Sequence, residues 1–252
     1  MSDAVLQTRG LTVRFGGLLA VNDVDLDCLP GQLTGLIGPN GAGKTTLIDA
    51  VTGFLPKNAS GNVYFGGEDI LGTSPHRLAH AGLCRTWQTL ELFDDISVRA
   101  NLDVASSRLT PGRAFRDYFS GSEGGDRIDE VMELLNLTSI ADREPSELSQ
   151  GQRKLVGVGR ALVADAKLLL LDEPAAGLDR QETVWLGIQL RRIVEAGTPM
   201  LLVDHDMGLV LSVCDRVHVL EFGKLIASGT TEEIRQDEKV VAAYLGATGG
   251  DA

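Results

Sequence analysis

Cysteine is scarce in this sequence, and its cysteines lie far apart. The 252 residues include 3 cysteines, Cys28, Cys84 and Cys214, with no CxxC pair among them. An odd number of widely spaced cysteines favours free core thiols in a reducing compartment over a disulfide or metal-binding role. Apolar runs are also short, and none reaches the roughly 18 residues that a membrane-spanning helix needs.

Positively charged residues are also few relative to negatively charged ones. The chain has 23 lysines and arginines against 35 aspartates and glutamates, a formal net charge of -12. Such a chain has no general electrostatic attraction for DNA, RNA or anionic lipid, so we predict no nucleic-acid partner. Phosphate binding must then be local, through backbone amides and a few placed cations. Contact with a membrane would run through a protein in that membrane.

The sequence does contain strands and helices in alternation. Three short apolar segments, Leu33–Ile37, Leu168–Leu171 and Met200–Val203, predict buried strands. Helical spacing over Gln181–Ala196 separates the last two of them, and strand–helix–strand order predicts a parallel sheet with helices on its faces. Near the N-terminus, apolar and polar residues alternate from Leu11 to Phe15, which predicts half-buried strands there.

The middle of the chain has a different pattern. Apolar residues at Ile128, Val131, Leu134 and Leu135 follow helical spacing. We therefore interpret residues 90–160 as a helical insertion in a single domain of residues 1–252, whose core comprises residues 1–89 and 161–252.

Residues 38–46 carry the strongest chemical motif. They read Gly38, Pro39, Asn40, Gly41, Ala42, Gly43, Lys44, Thr45 and Thr46, and they fit the pattern GxxxxGK[ST]. The loop follows a predicted strand and opens a predicted helix, so its amides and the helix N-terminus can bind phosphate. Lys44 can reach the terminal phosphates, and the Thr45 hydroxyl can bind magnesium. A chance glycine turn is the competing interpretation, which the flanking strand and helix disfavour.

Two carboxylates, Asp172 and Glu173, end a predicted strand. Ligands of α/β sheets bind at the carboxyl ends of the strands. We predict that Asp172 orients magnesium through its water shell and that Glu173 accepts a proton from an attacking water. An ordinary acidic turn is the competing interpretation, and the neighbouring phosphate loop makes it the weaker one.

A third motif lies at the start of a predicted helix. Ser149 and Gln152 have the spacing of a capping box, and a capped helix end with a glycine is also an anion site. The sequence Leu-Ser-Gln-Gly-Gln at residues 148–152 resembles the signature motif, usually Leu-Ser-Gly-Gly-Gln, of ATP-binding cassette (ABC) transporter ATPase subunits. Gln150 departs from that pattern, whereas Gly151 keeps the glycine expected to approach the γ-phosphate.

Further residues carry the same resemblance in the order that the family has. Phe15 matches the aromatic residue that stacks on adenine, where tyrosine is commoner, and Gln88 matches the Q-loop glutamine. Asp179 matches the D-loop aspartate and His205 the switch histidine. The implied fold class is α/β, with a P-loop (RecA-like) nucleotide-binding core, N-terminal antiparallel β strands and an inserted α-helical subdomain.

The resemblance implies a Mg²⁺-dependent ATP hydrolase with ATP and Mg²⁺ as cofactors. The implied catalytic residues are Glu173, His205, Lys44 and Gln88, and the implied metal-binding residues are Thr45, Gln88 and Asp172. The implied nucleotide-binding residues are Phe15, residues 38–46, Ser149, Gly151, Gln152 and Asp179. Ser149 and Gly151 would serve the ATP of a second subunit in a head-to-tail pair.

Several finer features resemble the ATPases of branched-chain amino-acid importers. They are the Arg-Thr-Trp-Gln segment at residues 85–88, the Asp-His-Asp-Met-Gly-Leu-Val segment at residues 204–210 and the Ala-Ala-Tyr-Leu-Gly segment at residues 242–246. The implied partners are transmembrane permease subunits, a second ABC ATPase and, indirectly, a solute-binding protein, with a cytoplasmic location on the inner face of the cell membrane. Importers of urea or amides share these features. Two further classes stay open, namely a soluble ABC ATPase without a membrane partner and a different P-loop enzyme such as a small-molecule kinase.

Overall fold

The structure is a computed structural model that describes residues 4–86, 92–106 and 123–247. The strands in this part are β1 (Leu6–Phe15), β2 (Leu18–Cys28), β3 (Leu33–Ile37), β4 (Ala59–Phe65), β5 (Glu68–Asp69), β6 (Leu83–Thr86), β7 (Leu168–Asp172), β8 (Met200–Val203), β9 (Arg216–Glu221) and β10 (Lys224–Gly229). The helices are α1 (Lys44–Val51), α2 (Pro75–Ala81), α3 (Val98–Ser106), α4 (Glu123–Leu134), α5 (Gln150–Val163), α6 (Arg180–Glu195), α7 (Met207–Val213), α8 (Thr231–Gln236) and α9 (Glu238–Ala247).

The strands form two sheets. The first sheet is antiparallel and has four strands in the order β2-β1-β4-β5. The second sheet has six strands in the order β10-β9-β3-β8-β7-β6. Every neighbouring pair from β9 to β6 is parallel, and β10 alone runs antiparallel to its neighbour among the described strands of this sheet. The α/β fold with antiparallel strands at its N-terminus, which the sequence predicted, is confirmed.

The parallel sheet is buried on both faces. In β7, Leu169 and Leu171 pack on one side with residues of α5 and α6, and Leu168 and Leu170 pack on the other with α1 and the antiparallel sheet. Side chains that alternate along a strand therefore pack into two different cores, which explains why every residue of β3, β7 and β8 is buried rather than every second one. The candidate site lies at the carboxyl ends of these strands.

Helices α3, α4 and α5, which lie largely in the predicted helical insertion, pack closely against one another. A Cβ at Gly159 of α5 would lie 2.8 Å from Leu102 of α3 and 3.1 Å from Leu135, which follows α4. α5 continues to Val163, so the predicted boundary at residue 160 lies inside a helix. The division of the chain into a core and a helical subdomain stays a prediction.

Other expectations concern the cysteines and the membrane. Cys28, Cys84 and Cys214 are free and buried, as predicted. Within residues 4–86, 92–106 and 123–247, no helix has the length and apolar character to cross a membrane.

Candidate nucleotide-binding site

The carboxyl ends of neighbouring parallel strands meet at one edge of the sheet. β3 leads into the phosphate loop, β8 ends just before Asp204, and β7 ends at Asp172. The register pairs Asp172 of β7 with Val203 of β8, and Val203 in turn with Leu36 of β3. Residues that are far apart in the chain are thereby aligned as one row, because all three strands point the same way.

Glycine is required at two positions of the phosphate loop. Gly38 has a φ of 155°, and a Cβ there would lie 2.1 Å from the carbonyl oxygen of Leu220. Gly43 has a φ of 104°, and a Cβ there would lie 2.4 Å from the carbonyl oxygen of Ala20. Any side chain would force the backbone apart at these contacts, so the loop can lie against its neighbours only with glycine.

Lys44 begins α1 and folds back over the loop. Its Nζ donates hydrogen bonds to the carbonyl oxygens of Gly38 at 2.7 Å and Pro39 at 3.1 Å. Burial lowers the pKa of this ammonium group, and the nearby carboxylates of Glu173, Asp172 and Asp204 oppose that effect. The loop therefore holds a positive charge among carbonyls and faces the strand-end carboxylates.

Asp172 is already paired with a cation. Its Oδ2 accepts a hydrogen bond from Arg85 of β6 at 2.7 Å, and the same guanidinium donates to Asp49 of α1 at 2.5 Å. The Arg85 side chain is only 6% exposed. Among the described residues no donor contacts Asp172 Oδ1. A carboxylate oxygen of this kind, like the Thr45 hydroxyl, is the type of hard oxygen ligand that Mg²⁺ prefers.

Glu173 has a strained backbone at the strand end. Its φ is 47°, in the left-handed region that non-glycine residues rarely adopt, and its amide donates to the Val203 carbonyl at 2.7 Å. This conformation places Glu173 Oε1 3.6 Å from Nδ1 of His205, slightly beyond hydrogen-bond distance. The structure thus brings together the predicted base and the predicted switch histidine.

Asp204, which the sequence analysis did not assign to the site, supports this pair. It is fully buried and accepts backbone hydrogen bonds from Ala175 at 3.1 Å and Asp206 at 3.0 Å. It therefore ties the segment after β7 to the segment after β8. The rule that placed Asp172 at a strand end applies equally to Asp204, so the sequence held the signal for it.

The predicted capping box is present at the start of α5. Ser149 Oγ accepts from the Gln152 amide at 3.3 Å, and Gln152 Oε1 accepts from the Ser149 amide at 3.0 Å. The amide of Gly151 donates to Oε1 of Glu182 at 3.2 Å, and Asp179 caps α6 by accepting from the Glu182 amide at 2.8 Å. All of these contacts lie within one chain.

A cleft of about 520 Å³ adjoins the phosphate loop. Its lining comprises Phe15, Leu18, Leu19, Ala20, residues 40–46, Glu173, Phe222 and Gly223. The structure therefore brings Phe15 and Glu173 to the loop. Ser149, Gly151, Gln152, Asp179 and His205 are not part of this lining, and neither are Gly38, Pro39 and Asp172. Gln88 lies outside the described residues.

A glycine loop with a lysine at a helix N-terminus, beside carboxylates at the ends of parallel strands, defines a P-loop protein that binds nucleoside triphosphates. Comparison with known proteins narrows this class. A family model described as ABC transporter matches residues 21–176, and a model described as branched-chain amino acid ATP-binding cassette transporter matches residues 224–249. The chain belongs to the ABC transporter ATP-binding family.

Individual relatives are similar to this chain over nearly their whole length. The high-affinity branched-chain amino acid transport ATP-binding protein BraF of Pseudomonas aeruginosa is 39% identical, with 98% of this chain and 99% of that one covered. The lipopolysaccharide export system ATP-binding protein LptB of Escherichia coli is 36% identical, with 96% and 98% covered. The ADP conformation of MJ1267, an ATP-binding cassette of an ABC transporter, superposes with a TM-score of 0.84 at 32% identity, covering 97% of this chain and 100% of that one.

Proposed function

We propose that this chain hydrolyses ATP to power the import of branched-chain amino acids. The observation that carries the substrate class is the match of residues 224–249 to the branched-chain amino acid cassette model, together with the full-length similarity to BraF. LptB is named for export and is almost as similar, so the family alone does not give the solute or the direction.

In this proposal the phosphates of ATP lie in the loop of residues 40–46, and the base lies against Phe15. Loop amides and the N-terminus of α1 neutralise the phosphate oxygens, and Lys44 exchanges its carbonyl partners for the terminal phosphates. Thr45, Asp172 and Gln88 would hold Mg²⁺, whose charge offsets the charge that develops on the transferred phosphoryl group. The salt bridge from Arg85 fixes the direction of the Asp172 carboxylate.

Hydrolysis begins when a water oxygen attacks the γ-phosphorus. The bond from that phosphorus to the bridging oxygen breaks, ADP leaves, and Glu173 takes the proton of the attacking water. His205, whose Nδ1 lies 3.6 Å from Glu173 Oε1, would contact the γ-phosphate oxygens and stabilise their charge. The strained backbone of Glu173 holds the carboxylate at the end of the strand, facing the cleft.

The signature residues act on a second subunit in this proposal. Ser149 and Gly151 do not line the cleft beside their own phosphate loop. Two chains arranged head to tail would place them against the γ-phosphate in the partner's loop, with Asp179 at the contact. The remaining partners would be transmembrane permease subunits on the inner face of the cell membrane.

Transport measurements in a deletion strain test the proposal. Cells without this chain should lose uptake of radiolabelled leucine, isoleucine and valine, and wild-type protein should restore it. The Glu173→Gln variant, expressed to the same level, is the matched control and should not restore uptake. Intact leucine uptake with lost urea or amide uptake would instead support import of urea or amides. If no uptake changes and no permease co-purifies, a soluble ABC ATPase becomes the better explanation.

A further inference from the structure

The turn between β9 and β10 contains an aromatic residue that the fold does not need. Phe222 and Gly223 form a two-residue hairpin turn with φ values of 45° and 78°. Such turns favour Asn-Gly, because both residues adopt positive φ, and a bulky residue there is strained. The Phe222 side chain gains no core packing in return, since the residue is 85% exposed. Local strain of this kind is characteristic of functional sites.

Backbone contacts fix this turn against the phosphate loop. The Gly223 amide donates to the Ala42 carbonyl at 2.9 Å, and the Gly223 carbonyl accepts from the Asn22 amide at 2.7 Å. A Cβ at Gly223 would lie 2.7 Å from the carbonyl oxygen of Ala20. The residue next to Phe222 is therefore held between the phosphate loop and β2, so the Phe222 ring stays at one wall of the cleft.

Three exposed apolar side chains line the same cleft. Phe15 is 41% exposed, Leu18 is 66% exposed and Phe222 is 85% exposed. Phe15 ends β1 and Leu18 begins β2, whereas Phe222 lies in the turn between β9 and β10. The cleft is therefore lined by the phosphate loop together with these apolar side chains.

We propose that Phe222 is a second base-stacking residue, so that the adenine of ATP lies between Phe222 and Phe15. This inference rests on the proposed ATP binding. A base has two π-faces, and stacking on an aromatic side chain removes each face from water without any hydrogen bond to the base. The exposure and the strain of Phe222 then have one cause, which is a ring kept available for the nucleotide.

The test separates the base from the phosphates. Binding of ADP and of inorganic pyrophosphate is measured by calorimetry for wild type, Phe222→Asn, Phe222→Trp and Phe15→Ala. Asparagine removes the ring but suits the turn, so Phe222→Asn should melt no lower than wild type. Phe222→Asn should weaken ADP binding about fivefold or more and leave pyrophosphate binding unchanged. Phe222→Trp should bind ADP like wild type.

A control variant and the two ligands distinguish a loss of base stacking from other effects on binding. Phe54→Ala removes an exposed aromatic residue that does not line the cleft, and it should change neither affinity. Equal ADP affinity in wild type and Phe222→Asn would overturn the inference while leaving ATP binding intact. An equal loss of ADP and pyrophosphate binding would also overturn it, because the turn would then act on the loop. A wild-type protein that binds no ADP and no ATP would refute the proposed function itself.

Discussion

The guanidinium of Arg85 donates a hydrogen bond to Oδ2 of Asp172 across 2.7 Å. The same group also pairs with Asp49 of α1, so one arginine neutralises two carboxylates from different elements. The side chains of Arg85 and Asp172 are only 6% and 11% exposed. Removing the arginine would leave buried charge without its partner, which costs far more than losing an exposed ion pair.

We therefore expect Arg85→Met to lower the free energy of unfolding by about 3 kcal/mol. Urea unfolding at neutral pH measures this change. The matched control is Arg9→Met, because the pair of Arg9 with Asp27 is 38% and 40% exposed and should contribute at most about 1 kcal/mol. Arg85→Lys should lie between the two, since lysine keeps the positive charge but lacks the planar guanidinium that donates to both carboxylates at once. Equally small losses of unfolding free energy in Arg85→Met and Arg9→Met would contradict a stabilising buried ion pair between Arg85 and Asp172.

Arg85 also shows which parts of the site the sequence could reveal. The phosphate loop and the carboxylates after β7 are readable because each motif is local and follows an apolar strand. The pair of Arg85 and Asp172 spans 87 positions and depends on the parallel register of β6 with β7. A single sequence carries no information on that register, so the partner of Asp172 appears only in the folded chain.

The same limit applies to the turn at Phe222. A hairpin joins β9 to β10 around Phe222 and Gly223. Its place beside the phosphate loop follows from the hydrogen bond between Gly223 and Ala42, two residues that are distant in the chain. Likewise, the hydrogen bond from Gly151 to Glu182 joins two helices, and no local sequence pattern predicts it. The sequence therefore reveals the local motifs of the site, but not the contacts that these motifs make with distant parts of the chain.

His218 should make the fold sensitive to mild acid. It lies in β9 and is only 4% exposed, and burial, with a smaller effect of Arg216, lowers its pKa from 6.5 to about 4. Between these values the unfolded chain binds a proton that the folded chain does not. Stability is therefore complete above pH 6.5 and decreases as the pH falls towards 4. We expect a loss of about 2 kcal/mol between about pH 7.5 and about pH 5 from this residue.

Urea unfolding at these two pH values measures the effect. His218→Phe keeps a ring of similar size but cannot be protonated, so its loss of stability on acidification should be smaller than that of wild type. His80→Gln, at an exposed position of α2, is the control and should keep the wild-type dependence. An identical pH dependence in wild type and His218→Phe would show that other groups cause it.

Hydrolysis should require two chains, because Ser149 and Gly151 lie outside the cleft beside their own phosphate loop. Lys44→Ala disables the loop, and Gly151→Asp disables the signature, so each variant alone should be inactive. In a mixed pair, one site combines an intact loop with an intact signature. An equal mixture should then recover about a quarter of the wild-type activity, since half of the pairs are mixed and each has one good site.

The control mixture contains Lys44→Ala and the double variant with both changes, which never forms an intact site. Dilution of the wild-type protein should in addition reduce activity per chain. A mixture that stays inactive, together with a specific activity independent of concentration in a protein shown to be monomeric by light scattering, would rule out the shared site.

Glu173 should act as the general base. It follows Asp172 at the end of a buried strand, and the two carboxylates differ in their surroundings: Asp172 is held by Arg85, whereas Glu173 lines the cleft. Glu173→Gln keeps the shape and the hydrogen-bonding capacity of the side chain but removes its basicity. Single-turnover hydrolysis should slow by about 10²–10⁴. ATP binding should persist, because Lys44, Thr45 and the loop amides are unchanged.

Substitutions of the two carboxylates should therefore impair hydrolysis in different ways. Glu173→Gln should hold ATP without splitting it, and size-exclusion chromatography in ATP and magnesium should show the paired form accumulating. Asp172→Asn should instead need more magnesium for half-maximal activity. It should also lose stability, since the ion pair with Arg85 becomes a weaker hydrogen bond from the charged guanidinium to a neutral amide. Near wild-type hydrolysis by Glu173→Gln would mean that another group activates the water. His205 would be the first residue to examine in that case, because its Nδ1 lies 3.6 Å from the Glu173 carboxylate.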